Sequence, residues 1–150
     1  MAMSKLLILY YSKTGNTEKM ARAVLEGVKM VEGVDVDLKF QVSADELRDV
    51  DALVIGMPTY HHDMTRSMKN LLEELAFKRI DLKGKIGACF GSYGWSGEAP
   101  RLILEVMEKK FEMAVLKPPL LIKDTPDELG LEQCRNLGKK VVEQLLPSTS

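Results

Sequence analysis

The chain has 150 residues, 45% of them hydrophobic and 29% charged, with a formal net charge of −1. These values fit one domain spanning residues 1–150, and they exclude a disordered polar chain and a strongly basic nucleic-acid binder. The apolar stretch from Leu6 to Tyr11 is too short for a signal peptide or a membrane span, so no membrane partner is expected and the expected location is the cytoplasm.

In chain order, strands and helices alternate. "KLLILYY" (5–11) is a continuous apolar run and reads as a strand buried on both faces. From Asn16 to about Val31, residues Met20, Ala21, Val24, Leu25 and Val28 recur at helical spacing. "VDVDLKF" (34–40) alternates with period two, which gives a strand with one wet face. "DALVIGM" (51–57) is again fully apolar. A helix follows over Ser67 to Phe77, with Leu71, Leu72 and Leu75 as its buried stripe. "KIGACFG" (85–91) makes a fourth strand, Glu98 to Phe111 a third helix, and "PPLLIK" (118–123) a fifth strand. The last helix opens on "TPDE" (125–128), read as a capping box with Thr125 at the cap and Pro126 in the first turn. Leu131, Cys134, Leu137, Gly138, Val141, Val142 and Leu145 form its stripe.

Five strands alternating with helices predict an α/β fold, a doubly wound parallel sheet with helices on both faces. The half-polar second strand belongs at one edge. The fifth, opening on two prolines that donate no ladder hydrogen bonds, belongs at the other. The order is then 2-1-3-4-5, and a ligand is expected beyond the carboxyl ends of the strands, near the first and third.

Three loops reach that edge. "SKTGNT" (12–17) follows the first strand and opens the first helix, so its hydroxyls, its amide and the helix N-terminus suit a phosphate. The spacing matches neither a Walker A loop nor G-x-G-x-x-G, which argues against a nucleoside triphosphate or a dinucleotide. "PTYHHDM" (58–64) follows the third strand and "GSYGWSGEA" (91–99) the fourth. Trp95, the only tryptophan, sits in the glycine-rich third loop, where it suits either a stacked flat ligand or a packing role. Cys89 and Cys134 lack C-x-x-C spacing and read as buried free thiols. No metal is expected, since His61 and His62, the only histidines, are adjacent.

Over essentially its full length the chain resembles flavodoxins. "ILYYSKTGNTEKMA" matches their phosphate-loop signature. "GSYGWSGEA" resembles the third flavin loop of short-chain members and is closer still to the flavodoxin module of flavodiiron proteins, as is "PDELGLEQCRNLGKKV". The resemblance implies a flavodoxin-like fold and FMN as cofactor. It places Ser12, Thr14, Gly15, Asn16 and Thr17 around the phosphate, with Lys13 in the loop and directed to solvent. It places Pro58, Thr59, Tyr60 and His61 on one side of the isoalloxazine and ribityl. Ser92, Tyr93, Gly94 and Trp95 line the other side, with Gly97 allowing close approach. His62 and Asp63 stay open between a site role and a solvated loop. The second loop lacks the glycine whose peptide turns over in many members.

The implied function is a low-potential one-electron carrier, with no catalytic residues, working as a monomer. Its partners would be redox proteins: a reductase or ferredoxin-type donor and an acceptor the sequence does not name. The alternative is an NAD(P)H-dependent quinone or flavin reductase on the same fold. A receiver-like module would need an Asp at the end of the third strand, where Gly56, Met57 and Pro58 stand.

Overall fold

The computed structural model describes residues 3–59 and 62–146. Its strands are β1 (Ser4–Tyr10), β2 (Val34–Lys39), β3 (Ala52–Gly56), β4 (Ile86–Tyr93), β5 (Ala114–Val115) and β6 (Leu120–Lys123). Its α-helices are α1 (Asn16–Lys29), α2 (Arg66–Phe77), α3 (Glu98–Lys109) and α4 (Glu128–Leu145). A short 3₁₀ turn, Ala44–Leu47, follows β2.

The pairings among the described strands are parallel, in the order β2-β1-β3-β4, and both β5 and β6 lie on the far side of β4. The expected order 2-1-3-4-5 therefore holds, but the fifth strand comes in two pieces. Ala114 and Val115 pair with Ile86 and Gly87, and Leu120 to Lys123 pair with Phe90 to Tyr93. The sequence expectation of one strand beginning at Pro118 is corrected here. Pro118 and Pro119 carry no N–H, so the ladder is interrupted at them and resumes at Leu120.

The central strands bury both faces, and their alternation feeds two cores. Leu7, Leu9, Leu53 and Ile55 face the side covered by α2 and α3, with Leu75, Ile103 and Met107. Leu6, Ile8, Val54 and Phe90 face the other side, with Met20 and Val24 of α1 and Val141 of α4. α1 and α4 pack closely because each presents a glycine to the other. A Cβ on Gly138 would stand 2.3 Å from the Val24 carbonyl oxygen, and one on Gly27 would stand 1.9 Å from that of Arg135. Arg135 of α4 then ties the pair through Glu26 of α1 and is itself held by Glu128 and Glu132 of its own helix.

Both cysteines are buried and free. Cys89 donates to the Met107 sulfur at 3.5 Å. Burial pushes its thiol far above the ordinary range and pushes that of Cys134 up to about 12, so neither supplies a reactive thiolate. No helix among the described residues is long and apolar enough to cross a membrane.

Candidate functional site

The sheet register brings the three loops to one edge. Tyr10 lies beside Gly56, and Gly56 beside Phe90. Just beyond, Tyr11 N–H donates to the Gly56 carbonyl at 3.0 Å and Met57 N–H to the Phe90 carbonyl at 2.9 Å. Loop one, 11–15, and loop two, 57–65, leave from this line. Loop three, 94–97, leaves after β4 has run three residues further.

Loop one is a turn built around a glycine. Ser12 Oγ accepts from Gly15 N–H at 3.0 Å, and Gly15 adopts the left-handed region at φ 93°. An L side chain there would be strained. Gly15 is also the residue at the cap position of α1, and no side-chain cap bond forms there. The first turn of α1 thus keeps N–H groups and the positive dipole end available to an anion. Thr14 and Lys13 are exposed, and Asn16 is half-buried.

Thr17 is engaged within the chain. It is buried, and its hydroxyl lies 2.9 Å from Ser92 Oγ and accepts from Ser92 N–H at 3.4 Å. That hydroxyl links α1 to β4, and Thr17 also carries a backbone N–H in the first turn of α1. Ser92 likewise sits on β4, buried, with its side chain turned to Thr17. Periodicity could not show this contact, because the partners are 75 residues apart.

Loop two is fastened to α3. Pro58 is buried, and Thr59 Oγ1 accepts from Ala99 N–H at 2.9 Å. Gly97, at the cap position of α3, makes no side-chain cap bond, so the neighbouring loop supplies one. Tyr60 and His61 lie outside the described residues. Asp63 accepts from Met64 N–H at 2.7 Å and pairs with Lys69. The Lys69 ammonium, with the Met64 N–H, holds the Asp63 carboxyl below its usual range.

Tyr93, the last residue of β4, is half-buried, and in loop three Gly94 is exposed and Trp95 is 90% exposed. A core role for the tryptophan is therefore excluded. Its ring meets His62 edge-on, with centroids 6.3 Å apart. A Cβ on Gly97 would come 2.9 Å from Leu121 Cδ1, so its close approach is to β6.

A cavity of about 400 Å³ opens on the same edge, toward β2. It is lined by Tyr10, Tyr11, Phe40, Met57, Met68 and Leu71, and by none of residues 12–17 or 92–97.

This architecture has close counterparts. The family model described as flavodoxin matches residues 8–138. The chain is 33% identical to a flavodoxin of Clostridium beijerinckii, an alignment covering 89% of this chain and 96% of that one. A solved flavodoxin from the domain Archaea superposes with a TM-score of 0.85 at 38% identity, covering 94% of this chain and 98% of that one. The chain is also 35% identical to the Type A flavoprotein fprA of Rhodobacter capsulatus, over 93% of its own length, but it spans only 33% of that larger protein. The uncapped helix end beside three converging loops, and the match over most of the chain, lead to one conclusion: the chain belongs to the flavodoxin family, the FMN-binding electron-transfer proteins.

Proposed function

We propose that residues 1–150 act as one unit, a low-potential one-electron carrier that holds FMN and passes electrons between redox proteins. The carrying observation is the uncapped N-terminus of α1, opened by Gly15 and flanked by Ser12, Thr14 and Asn16. In this reading the N–H groups of the first turn, with those three side chains, grip the phosphate, and Lys13 adds a positive charge in the same loop. Pro58, Thr59, Tyr60 and His61 border the isoalloxazine on one side. Ser92, Tyr93, Gly94 and Trp95 border it on the other, and Gly97 lets the loop lie close to β6. Bound FMN supplies the redox chemistry. The chain's own residues bind and orient the group and limit water at its ring, and no side chain is needed as nucleophile or general base.

Flavodoxins exchange electrons with redox proteins. For this chain the fitting donor is a reductase or a ferredoxin-type protein. Asp63 and Glu98 give the rim of the site an acidic edge, but each carboxylate is held by a cation or imidazole of the chain itself, Lys69 and His62. Partner steering by net charge is accordingly weak. Two buried free thiols suit the reducing cytoplasm, and the chain is proposed to work as a monomer. The experiment is an assay of the FMN-loaded protein with NADPH and a quinone, with and without a separate reductase. A carrier turns over only when the reductase is present. Steady turnover with NADPH and quinone alone would assign the chain to the reductases.

A further inference from the structure

Loops two and three are joined by a small polar cluster outside the phosphate cradle. His62 Nδ1 lies 3.1 Å from Glu98 Oε1 and 3.1 Å from Ser96 Oγ. An ionised carboxylate only accepts, so Nδ1 carries the hydrogen in this network. Hydrogen bonds from Ser96 first, and then His62, hold the Glu98 carboxyl below its usual range, which keeps it an acceptor. The second carboxylate oxygen is shut off from solvent without a partner among the described residues, so the side chain is held by its other oxygen. The edge of the imidazole meets the Trp95 ring at 68° between planes. No other described ring touches that otherwise exposed tryptophan.

His62 sits in the left-handed region at φ 65°, which is uncommon for residues other than Gly but in which His, like Asn and Asp, is enriched.

We propose that His62 is a positioning residue, whose Nδ1–H fastens loop two to Glu98 and Ser96 and whose ring edge fixes Trp95 at the border of the cofactor site. It acts through Trp95 rather than by touching the cofactor, and the proposal rests on the FMN reading given above. The Trp95 position then depends on a side chain in a different loop.

The test compares His62→Asn with His62→Gly in the full chain. Asn places an N–H donor where Nδ1–H stood and tolerates a positive φ. Gly relieves the backbone and removes the clamp. Trp95 is the only tryptophan, so fluorescence anisotropy of the apoprotein reads its mobility directly. His62→Gly should lower that anisotropy at unchanged thermal stability and speed FMN release about three- to tenfold, the range expected for one aromatic contact. His62→Asn keeps the N–H donor but not the ring, so its anisotropy and its rate of FMN release should fall between those of the wild type and His62→Gly. Wild-type anisotropy or wild-type release in His62→Gly overturns the proposal, as does an Asn variant as loose as the Gly one. A wild-type protein that binds no FMN overturns the cofactor reading instead, and the apoprotein arm keeps the two failures apart.

Discussion

α1 and α4 lie side by side in one layer and pack through facing glycines, yet their N-termini are finished in opposite ways. α4 is closed by its own sequence, with Asp127 Oδ1 accepting from Gly130 N–H at 2.8 Å. α1 starts on a left-handed glycine that has no side chain to give. A cap normally contributes about 1 kcal/mol. The helix that forgoes it is the one whose end sits beside loops two and three at the carboxyl edge of the sheet. α3 is the intermediate case, opened on a glycine but capped by Thr59 from the neighbouring loop. On the proposed reading, an open helix end beside two closed ones separates a helix that would hold a ligand from helices that serve the fold.

The comparison breaks most severely at Gly15. Gly15→Val puts a β-branched residue at φ 93°, which it cannot adopt without strain, and the turn that opens α1 should rearrange. FMN affinity should fall by at least about 100-fold, since several charge-assisted hydrogen bonds are lost together. Riboflavin, which has no phosphate, should lose much less. Flavin fluorescence titration of the apoprotein checks both.

Asn16→Asp sharpens the contrast by separating helix stability from ligand binding. A negative charge in the first turn should stabilise the ligand-free helix by about 0.3–1 kcal/mol through the dipole. The same charge should repel the phosphate and weaken FMN about tenfold, the equivalent of one charge-assisted bond. Apoprotein melting and FMN titration should therefore move in opposite directions. Movement in the same direction would mean that α1 is not the phosphate helix.

The smallest effect is expected at α4. Asp127→Ala should cost about 1 kcal/mol of stability, the value of a lost cap, and leave FMN affinity unchanged. Chemical denaturation of the apoprotein beside the same titration measures it. A change in affinity would put α4 in the site.

The elements were legible where one signal dominated. Leu6 to Leu9 and Ala52 to Ile55 are apolar without interruption and do become the strands buried on both faces. The start of α4 was legible only in part. Thr125, Pro126 and Glu128 have the spacing of a capping box, but the helix begins two residues later and Asp127 is the cap. A second good cap residue lay inside the motif, and local sequence does not rank the two. The prolines mark the fifth strand as an edge strand but do not reveal its split, because the pairing with Ile86 and Gly87 uses only Ala114 and Val115.

Of the candidate site, the glycine-opened first loop was legible because a helix must begin directly after a strand there. The contacts between loops were not. Thr17 with Ser92, Thr59 with Ala99 and His62 with Glu98 each join residues at least 36 positions apart through one polar atom. Such contacts leave no periodicity, and only the converging strands bring the partners together. Thr17 is an example, since the local sequence places its hydroxyl at a helix start but does not show its bond to Ser92.

The central claim is that the open end of α1 grips a phosphate, and the most direct measurement compares FMN and riboflavin binding to the same wild-type apoprotein by fluorescence titration. The two ligands share the ring that Trp95 would border and differ in the phosphate alone. FMN should bind tighter by about 3–6 kcal/mol, the sum of several charge-assisted hydrogen bonds. Equal affinities would show that the helix end holds no phosphate and would contradict the account.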